Sequence, residues 1–310
     1  MRILLWVLFA FLSFGIQAQS EEHIVLDTQT GKIDGTLLLP ENKKDLAVAL
    51  IIAGSGPTDR DGNNPYMKNN SLKMLAEGLA GQGIASLRYD KRGVAKSKDA
   101  AVKEIDLRFE NYVADAEEWI SLLKKDKRFK KVIVIGHSEG SLIGMIASKK
   151  AGADKFVSIA GAGMPAGDII REQLKSQPLM VTEAALPILD SLEQGKTVKE
   201  VPQMLASLFR PSVQPYIISW FKYDPRKEIA KLSIPVLIVQ GTTDIQVSVK
   251  DAENLKKAEP KAELKIIEGM NHILKEAEAD RTKNIQTYSQ PDLPLQKNLV
   301  TIITGFIKGK

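Results

Sequence analysis

Residues 131–147 read KVIVIGHSEGSLIGMIA, an apolar run, a serine between two glycines, and a second apolar run with a different spacing. The first run predicts a buried strand, the second predicts a helix, and Gly136 and Gly140 flank the turn between them. Ser138 is therefore either a nucleophile on a strained turn or part of a plain glycine-rich connection. The motif alone does not decide, so the rest of the chain must supply a base, an acid and an oxyanion site.

Short apolar runs alternate with helical patterns along the chain. They are Ile24–Leu26, Leu37–Leu39, Leu46–Ala53, Ile84–Tyr89, Lys131–His137, Lys155–Ala160, Ile234–Gln240 and Leu264–Glu268. Eight such runs interleaved with helices predict an α/β fold: a mainly parallel eight-stranded sheet with helices on both faces.

The strand pattern disappears between residues 162 and 231. This segment has a helical pattern that we expect to be interrupted at its prolines, which are Pro187, Pro202, Pro211 and Pro215. A long stretch without strands inside an alternating chain predicts a helical cap inserted over one end of the sheet. We therefore assign residues 20–161 and 232–310 to the α/β core and 162–231 to the cap.

The first residues, MRILLWVLFAFLSFGIQAQS, have a basic start, an apolar middle and small polar residues at the end. This pattern predicts a signal peptide over residues 1–19 and an exported protein, periplasmic or secreted, that has no stable membrane insertion after the signal is removed. The chain has no cysteine, which excludes a thiol nucleophile and thiolate metal sites. Its 43 basic and 38 acidic residues are interspersed, so no nucleic-acid partner is expected.

A seryl nucleophile needs a histidine base, and the chain has three histidines. His23 lies beside the first predicted strand and is interpreted as a surface residue. His137 directly precedes Ser138 on a strand, where adjacent side chains point to opposite faces, so it is a poor acceptor for the serine proton. His272 follows the last predicted strand, where α/β sheets carry their functional loops, and is the predicted base. The alternative for His272 is an ordinary loop histidine.

The base in turn needs a carboxylate that orients it. Asp244 lies three residues past Gly241, in a turn GTTD at the end of a buried strand. Its alternative role is a simple turn hydrogen bond. Glu268 competes with it, but its place at a strand end is expected to direct it away. The chain order Ser138, Asp244, His272 is the order found in α/β-hydrolases.

An oxyanion site needs two N–H donors. The first is the backbone N–H of Glu139, at the start of the helix after Ser138, where the helix dipole favours negative charge. The second is expected in the loop ALIIAGSGPTDRDGNNP at residues 49–65 and is assigned to the backbone N–H of Ser55. The alternative for this loop is a flexible surface turn.

The same loop contains Asp59, Asp61 and Asn63, a spacing similar to the start of a calcium loop. An EF-hand loop beginning at Asp59 requires Gly at residue 64 and Glu at residue 70, and both are Asn here. Structural hydrogen bonding is therefore favoured, and no metal and no cofactor are expected.

With these segments in place, the sequence resembles the α/β-hydrolase superfamily over essentially the whole mature chain. GHSEG, GTTD and GMNH match the nucleophile, acid and base segments of the superfamily, and RYDKRGVAKS, from Arg88, is similar to its segment after the fourth strand. Together with GSGPTDRDGN, these motifs look most like bacterial esterases related to serine aminopeptidases. Ala53 stands where the family often has a histidine before the oxyanion glycine.

The resemblance implies a serine carboxylesterase for small-molecule esters of short to medium acyl chains, acting through an acyl-enzyme without a cofactor. An aminopeptidase-like peptidase is the first alternative, with Glu172, Glu183 and Glu193 as candidate partners for a substrate amino group. An acyltransferase or thioesterase would use the same residues. A non-catalytic binding module on the same fold is the alternative from another class. The oligomeric state is left open.

Overall fold

The structure is a computed structural model that describes residues 19–41 and 45–309. The predicted signal peptide falls almost entirely on residues 1–18 and so lies outside the described residues. Within the described ranges, no helix is both long and apolar enough to cross a membrane.

The described strands form a single sheet. They are Ser20–Thr28 (β1), Gly31–Leu39 (β2), Leu46–Ile52 (β3), Ala85–Tyr89 (β4), Phe129–His137 (β5), Lys155–Ile159 (β6), Val236–Gly241 (β7) and Glu263–Ile267 (β8). Their order across the sheet is β1-β2-β4-β3-β5-β6-β7-β8. Only the β1–β2 and β2–β4 pairs are antiparallel. The predicted eight-stranded, mainly parallel sheet is confirmed.

Helices cover both faces of the sheet. They are Ser71–Gly81 (α1), Phe109–Lys125 (α2), Glu139–Ala151 (α3), Ala166–Leu174 (α4), Leu179–Glu193 (α5), Ala206–Phe209 (α6), Gln214–Trp220 (α7), Pro225–Ile229 (α8), Val249–Ala258 (α9), Arg281–Gln286 (α10) and Leu299–Lys308 (α11). Short 3₁₀ turns lie at Ala95–Ala100, Glu104–Asp106, Gln203–Leu205 and Thr287–Ser289.

Strand side chains alternate between two apolar layers, as the two-residue period of a strand requires. On β3, Leu50 and Ile52 pack in the layer that contains α2, α3 and α9. Ala49 and Ile51 pack in the opposite layer, with α1 and α11. Because both faces of the central strands are covered, apolar residues occupy consecutive positions in them, as in LAVALII of β3, and this is why they were visible in the sequence.

The first two strands are longer than their apolar runs. β1 and β2 form a hairpin in which Thr28 pairs with Gly31, and β1 is an edge strand whose residues are mostly half-buried or exposed. Polar residues are acceptable on such an open face, so the sequence pattern marked only the buried part of the hairpin.

Five helices, α4 to α8, lie between β6 and β7 and are called the cap helices below. They occupy most of the range 162–231 that the sequence assigned to an insertion. Trp220 of α7 stacks on Phe109 of α2, with ring centroids 6.3 Å apart, and Ser219 Oγ accepts the backbone N–H of Phe109 at 2.8 Å. The cap helices therefore dock on the layer that contains α2.

The prediction that Pro187 interrupts a helix is wrong, because Pro187 lies inside α5. A proline inside a helix removes one N–H donor, whose usual acceptor is the carbonyl four residues earlier, at Glu183. Glu183 is exposed, so water can reach this turn of the helix. The next turn is reinforced by Ser191, whose hydroxyl donates to the Pro187 carbonyl at 2.9 Å.

Candidate active site

Ser138 stands alone between β5 and α3, with φ 54° and ψ −122°. A positive φ crowds a residue that carries a Cβ, and such strain is concentrated at functional turns. The backbone N–H of Ser138 donates to the carbonyl of Ile159, at the end of β6, over 3.0 Å. The turn is therefore held by the sheet in the strained conformation that a nucleophile at this position requires.

The glycines beside Ser138 permit this turn by their lack of a side chain. A Cβ at Gly136 would lie 2.3 Å from the carbonyl oxygen of Gly140. A Cβ at Gly140 would lie 2.4 Å from the carbonyl oxygen of Ile52 and 2.6 Å from that of Ala53. The start of α3 thus packs against the end of β3 at backbone contact, which brings the helix N-terminus to the loop after β3.

The structure brings Asp244 and His272 together. The two residues follow β7 and β8, which are neighbours in the sheet, and His272 Nδ1 lies 2.8 Å from Asp244 Oδ2. Both side chains are buried, with 7% of His272 and 0% of Asp244 exposed. Because Nδ1 faces the carboxylate, it carries the proton in the neutral ring, which leaves Nε2 as the free acceptor.

Asp244 is held as an anion. Burial acts to raise the pKa of Asp244, but the charge and hydrogen bond of His272 outweigh it, and the pKa lies below its ordinary value. The backbone N–H groups of Gln246 and Val247 donate to Asp244 Oδ1 at 2.8 and 3.0 Å. Gln240 donates to Oδ2 from Nε2 at 3.0 Å. The carboxylate is thus satisfied and fixed in orientation.

Glu268, the competing acid, is exposed and has no hydrogen bond to His272. Ser138 and His272 share no hydrogen bond in the described structure. His137, the residue before Ser138, joins the two segments by a hydrogen bond to the backbone of His272. In an enzyme without substrate, catalytic hydrogen bonds are often long and shorten only when substrate binds.

His137 holds the loop that carries His272. Its Nε2 lies 2.8 Å from the carbonyl oxygen of His272, so Nε2 carries the proton and donates. The two rings lie 5.0 Å apart at an interplanar angle of 51°. Burial, with the nearby His272, lowers the pKa of His137 to about 4, and the ring is neutral at pH 7. The sequence analysis did not predict this contact of His137 with the His272 loop.

The predicted oxyanion donors lie on two segments that meet at Ser138. Gly54, directly before Ser55, is so close that a Cβ there would lie 3.1 Å from Ser138 Cβ. Glu139 is the first residue of α3, so its N–H is one of the unpaired donors of the helix N-terminus. Both predicted donors therefore belong to backbone that adjoins Ser138.

A cavity of about 820 Å³ opens above this turn, and Ser138, Ser55 and Glu139 line it. The cap helices contribute part of its apolar wall, with Ile169, Ile170, Tyr216, Ile217 and Trp220. Apolar side chains around a few convergent polar groups are typical of a small-molecule binding site.

The calcium-like residues of the loop are used for structure. Asp59 Oδ1 accepts the backbone N–H groups of Asp61 and Asn63 at 2.9 and 2.8 Å, and Arg88 donates to Asp61 at 2.6 Å. In the described part of the chain, no three His, Cys, Asp or Glu residues are grouped so that they could hold a metal ion.

The sheet order and the strand–turn–helix at Ser138, with an acid–histidine pair after the last two strands, define the α/β-hydrolase fold, and this chain has it. Residues 68–204 match the family described as "Serine aminopeptidase, S33". The chain is 29% identical to Esterase EstD from Thermotoga maritima over 260 residues, which cover 83% of this chain and 61% of that protein. The chain thus spans about three fifths of the length of this curated relative.

Solved structures agree on the fold. Est1E from Butyrivibrio proteoclasticus is similar with a TM-score of 0.62 and 17% identity, covering 92% of this chain and 99% of that one. An esterase from Pyrococcus furiosus is similar with a TM-score of 0.61 and 15% identity, covering 94% of this chain and 90% of that one. The sequence matches and the solved structures thus confirm the resemblance to α/β-hydrolases that the motifs indicated.

Four residues of the site were not found from the sequence: His137 as a positioning residue, Gln240, Tyr216 and Lys91. Gln240 gave one signal, a polar residue ending an otherwise apolar strand. Tyr216 and Lys91 gave none, because their contacts join segments far apart in the chain. The structure places both next to the side chain of Glu139.

Proposed function

We propose that this protein is a serine carboxylesterase that cleaves small-molecule esters of short to medium acyl chains. The observation that carries the proposal is the strained Ser138 turn at the floor of an apolar cavity, beside the buried His272–Asp244 pair. The similarity to Esterase EstD, a relative of greater length, supports the same reaction class.

In the proposed mechanism Ser138 Oγ attacks the ester carbonyl carbon while His272 Nε2 takes the hydroxyl proton. Asp244 stabilises the imidazolium that forms, and the backbone N–H groups of Ser55 and Glu139 donate to the carbonyl oxygen as it becomes an oxyanion. Collapse of the tetrahedral species breaks the ester C–O bond, and His272 returns the proton to the leaving alcohol. A water molecule, whose proton His272 takes, then attacks the acyl carbonyl of the acyl-enzyme. The acid is released, and the proton returns to Ser138 Oγ.

The cavity favours plain acyl groups over substrates with a free amino group. Among the described residues that line the cavity, the carboxylates are Glu104 and Glu139, and each has a cationic neighbour, Arg210 or Lys91. The three glutamates considered from the sequence as amino-group partners, which are Glu172, Glu183 and Glu193, do not line it. Glu172 pairs with Lys175, and Glu193 pairs with Arg171.

The test is a substrate panel of p-nitrophenyl acetate to octanoate against aminoacyl naphthylamides and acyl thioesters. We expect ester hydrolysis that Ser138→Ala lowers by about 10⁴-fold or more in kcat. Ser141→Ala is the matched control, because Ser141 lies three residues after Ser138 in α3 and the hydrogen bond of its side chain is to Ser158 Oγ, at 2.7 Å. It should keep most of the activity.

Faster cleavage of the naphthylamides would replace the esterase proposal with the peptidase, and preference for thioesters or transfer to an added alcohol would replace it with a thioesterase or transferase. If no substrate is turned over and a fluorophosphonate probe does not label Ser138, the non-catalytic binding module would be the remaining interpretation of the protein.

We further propose that the protein is exported, on the basis of the basic, apolar and small-residue pattern of residues 1–19. Sequencing the mature N-terminus from periplasmic and culture fractions would test this. A product that retains Met1 in the cytoplasmic fraction would contradict it.

A further inference from the structure

Lys91 is a buried lysine beside the oxyanion loop that does not line the cavity. It follows β4 by two residues, and only 1% of it is exposed. Its ammonium group Nζ donates to the carbonyl oxygen of Gly54 at 2.5 Å and lies 3.8 Å from Glu139 Oε2. It also lies 5.1 Å from the ring centre of Tyr112. Lysine is almost never fully buried without partners, and these contacts are its partners.

The contact with Gly54 has a direct consequence for Ser55. The carbonyl of Gly54 and the N–H of Ser55 belong to the same peptide unit. In a planar trans peptide these two groups point in opposite directions. A donor that fixes the direction of the Gly54 carbonyl therefore also fixes the direction of the Ser55 N–H, beside Ser138.

Glu139 supplies the counter-charge that lets Lys91 remain buried. Only 6% of Glu139 is exposed, and its Oε1 accepts the hydroxyl of Tyr216 at 2.5 Å. Its Oε2 has no hydrogen-bond partner and faces Lys91 at 3.8 Å. A buried cation without such a carboxylate would carry a large desolvation cost. Lys91 thus contacts both segments that carry the predicted oxyanion donors.

We propose that Lys91 is a positioning residue that aligns the oxyanion site by holding the Gly54 carbonyl, and through it the Ser55 N–H. The proposal rests on the proposed function, because an oxyanion forms only if Ser138 attacks a carbonyl. Lys91 itself does not touch the substrate, since it does not line the cavity.

The test is Lys91→Met, which keeps the length of the side chain and removes the donor. We measure kcat and KM for a p-nitrophenyl ester, and the inhibition constant of an alkyl trifluoromethyl ketone. The ketone forms a tetrahedral adduct with Ser138 that carries the same oxyanion. We expect kcat to fall about 10²- to 10³-fold, the inhibition constant to rise by a similar factor, and KM to change less than about threefold.

Lys155→Met is the matched control. Lys155 Nζ also donates to a backbone carbonyl, that of Phe306 at 2.6 Å, but Lys155 is at the amino end of β6, and Ser138 adjoins its carboxyl end. It should change neither kcat nor ketone inhibition. Active-site titration corrects each rate for the amount of folded enzyme. If Lys91→Met does not fold, Lys91→Gln, whose shorter amide does not reach as far, gives the same comparison.

An unchanged inhibition constant, or equal losses in Lys91→Met and Lys155→Met, would overturn the role of Lys91 while leaving the esterase intact. A wild-type protein that neither hydrolyses esters nor reacts with a fluorophosphonate probe would overturn the proposed function and the role of Lys91 with it. The two failures are therefore distinguishable.

Discussion

At the scale of single residues, the site depends on protonation states that burial imposes. His137 is buried and donates to the His272 carbonyl, so the folded protein keeps its ring neutral well below the ordinary pKa of histidine. Asp244 shows the opposite result, since its partners keep a buried carboxylate charged. The same burial thus gives a neutral histidine and an anionic aspartate, because both oxygens of the Asp244 carboxylate accept hydrogen bonds that favour its charge.

The buried His137 predicts a pH dependence of stability. Its pKa is about 4 in the folded protein and 6.5 ordinarily, so between these values the unfolded chain binds a proton that the folded chain does not. The free energy of unfolding therefore falls as the pH falls from 6.5 to 4, by about 3 kcal/mol at pH 4 from this group.

His137→Gln keeps a donor for the His272 carbonyl but does not titrate in this range. We expect urea unfolding of the variant to lose less stability than the wild type between pH 7.5 and 4.5. Parallel losses in the two proteins would show that His137 does not titrate as described.

At the scale of elements, the position of α3 is set by close backbone contact. The helix is buried from Glu139 to Ser148, and its N-terminus adjoins the end of β3 through Gly140. This contact brings the turn at Ser138 and the loop after β3 together, although some eighty residues separate them in the chain. The helix dipole then favours negative charge at the same point.

Gly140→Ala should disrupt this contact. The added Cβ would meet the carbonyls of Ile52 and Ala53 at 2.4 and 2.6 Å, and backbone cannot move aside as a flexible side chain does. We expect a loss of about 3 kcal/mol or more in the free energy of unfolding, with esterase activity lost from the protein that still folds.

Gly81→Ala is the control for this substitution. Gly81 ends α1, and the nearest atom to an added Cβ is Gln19 Nε2 at 3.9 Å. Alanine should be neutral there or stabilise by up to about 1 kcal/mol. Equal chemical denaturation midpoints for the two variants would refute the importance of the Gly140 contact.

At the scale of the whole molecule, the cap is joined to the layer that contains α2 and α3 by polar contacts as well as by aromatic packing. Tyr216 of α7 donates to Glu139 next to Ser138, and Arg210 pairs with Glu104, which precedes α2. The cap thus contacts the start of α3, beside Ser138, and lines one side of the cavity. Glu139 therefore both lines the cavity and holds the cap.

Tyr216→Phe removes only the hydroxyl of this contact. Glu139 Oε1 then loses its donor while it remains buried, so we expect the free energy of unfolding to fall by about 1–3 kcal/mol. Limited proteolysis within the cap helices should become faster. In the control, Tyr223→Phe, the lost hydrogen bond to Glu110 is 3.0 Å long and half-buried, and the effect should be smaller. A larger loss in the control would contradict the role given to Tyr216.

The sequence by itself determined the eight strands, the helices on both faces, and the order of Ser138, Asp244 and His272. These features depend on local patterns: apolar runs in doubly covered strands, glycines around a turn, and polar residues just after strand ends. The edge hairpin was seen only in part, because one of its faces is open to solvent. Pro187 was misread, because one missing donor in an exposed turn does not end a helix.

Only the tertiary structure decided how these residues are held. The contacts of His137 with the His272 loop, of Lys91 with Gly54, and of Tyr216 with Glu139 join positions 37 to 135 residues apart. No local sequence pattern predicts a contact between residues that are so far apart in the chain. The folded sheet brings the carboxyl ends of its parallel strands to one side of the molecule. Polar groups that are buried there need hydrogen-bond partners, and these come from another strand, a loop or a cap helix.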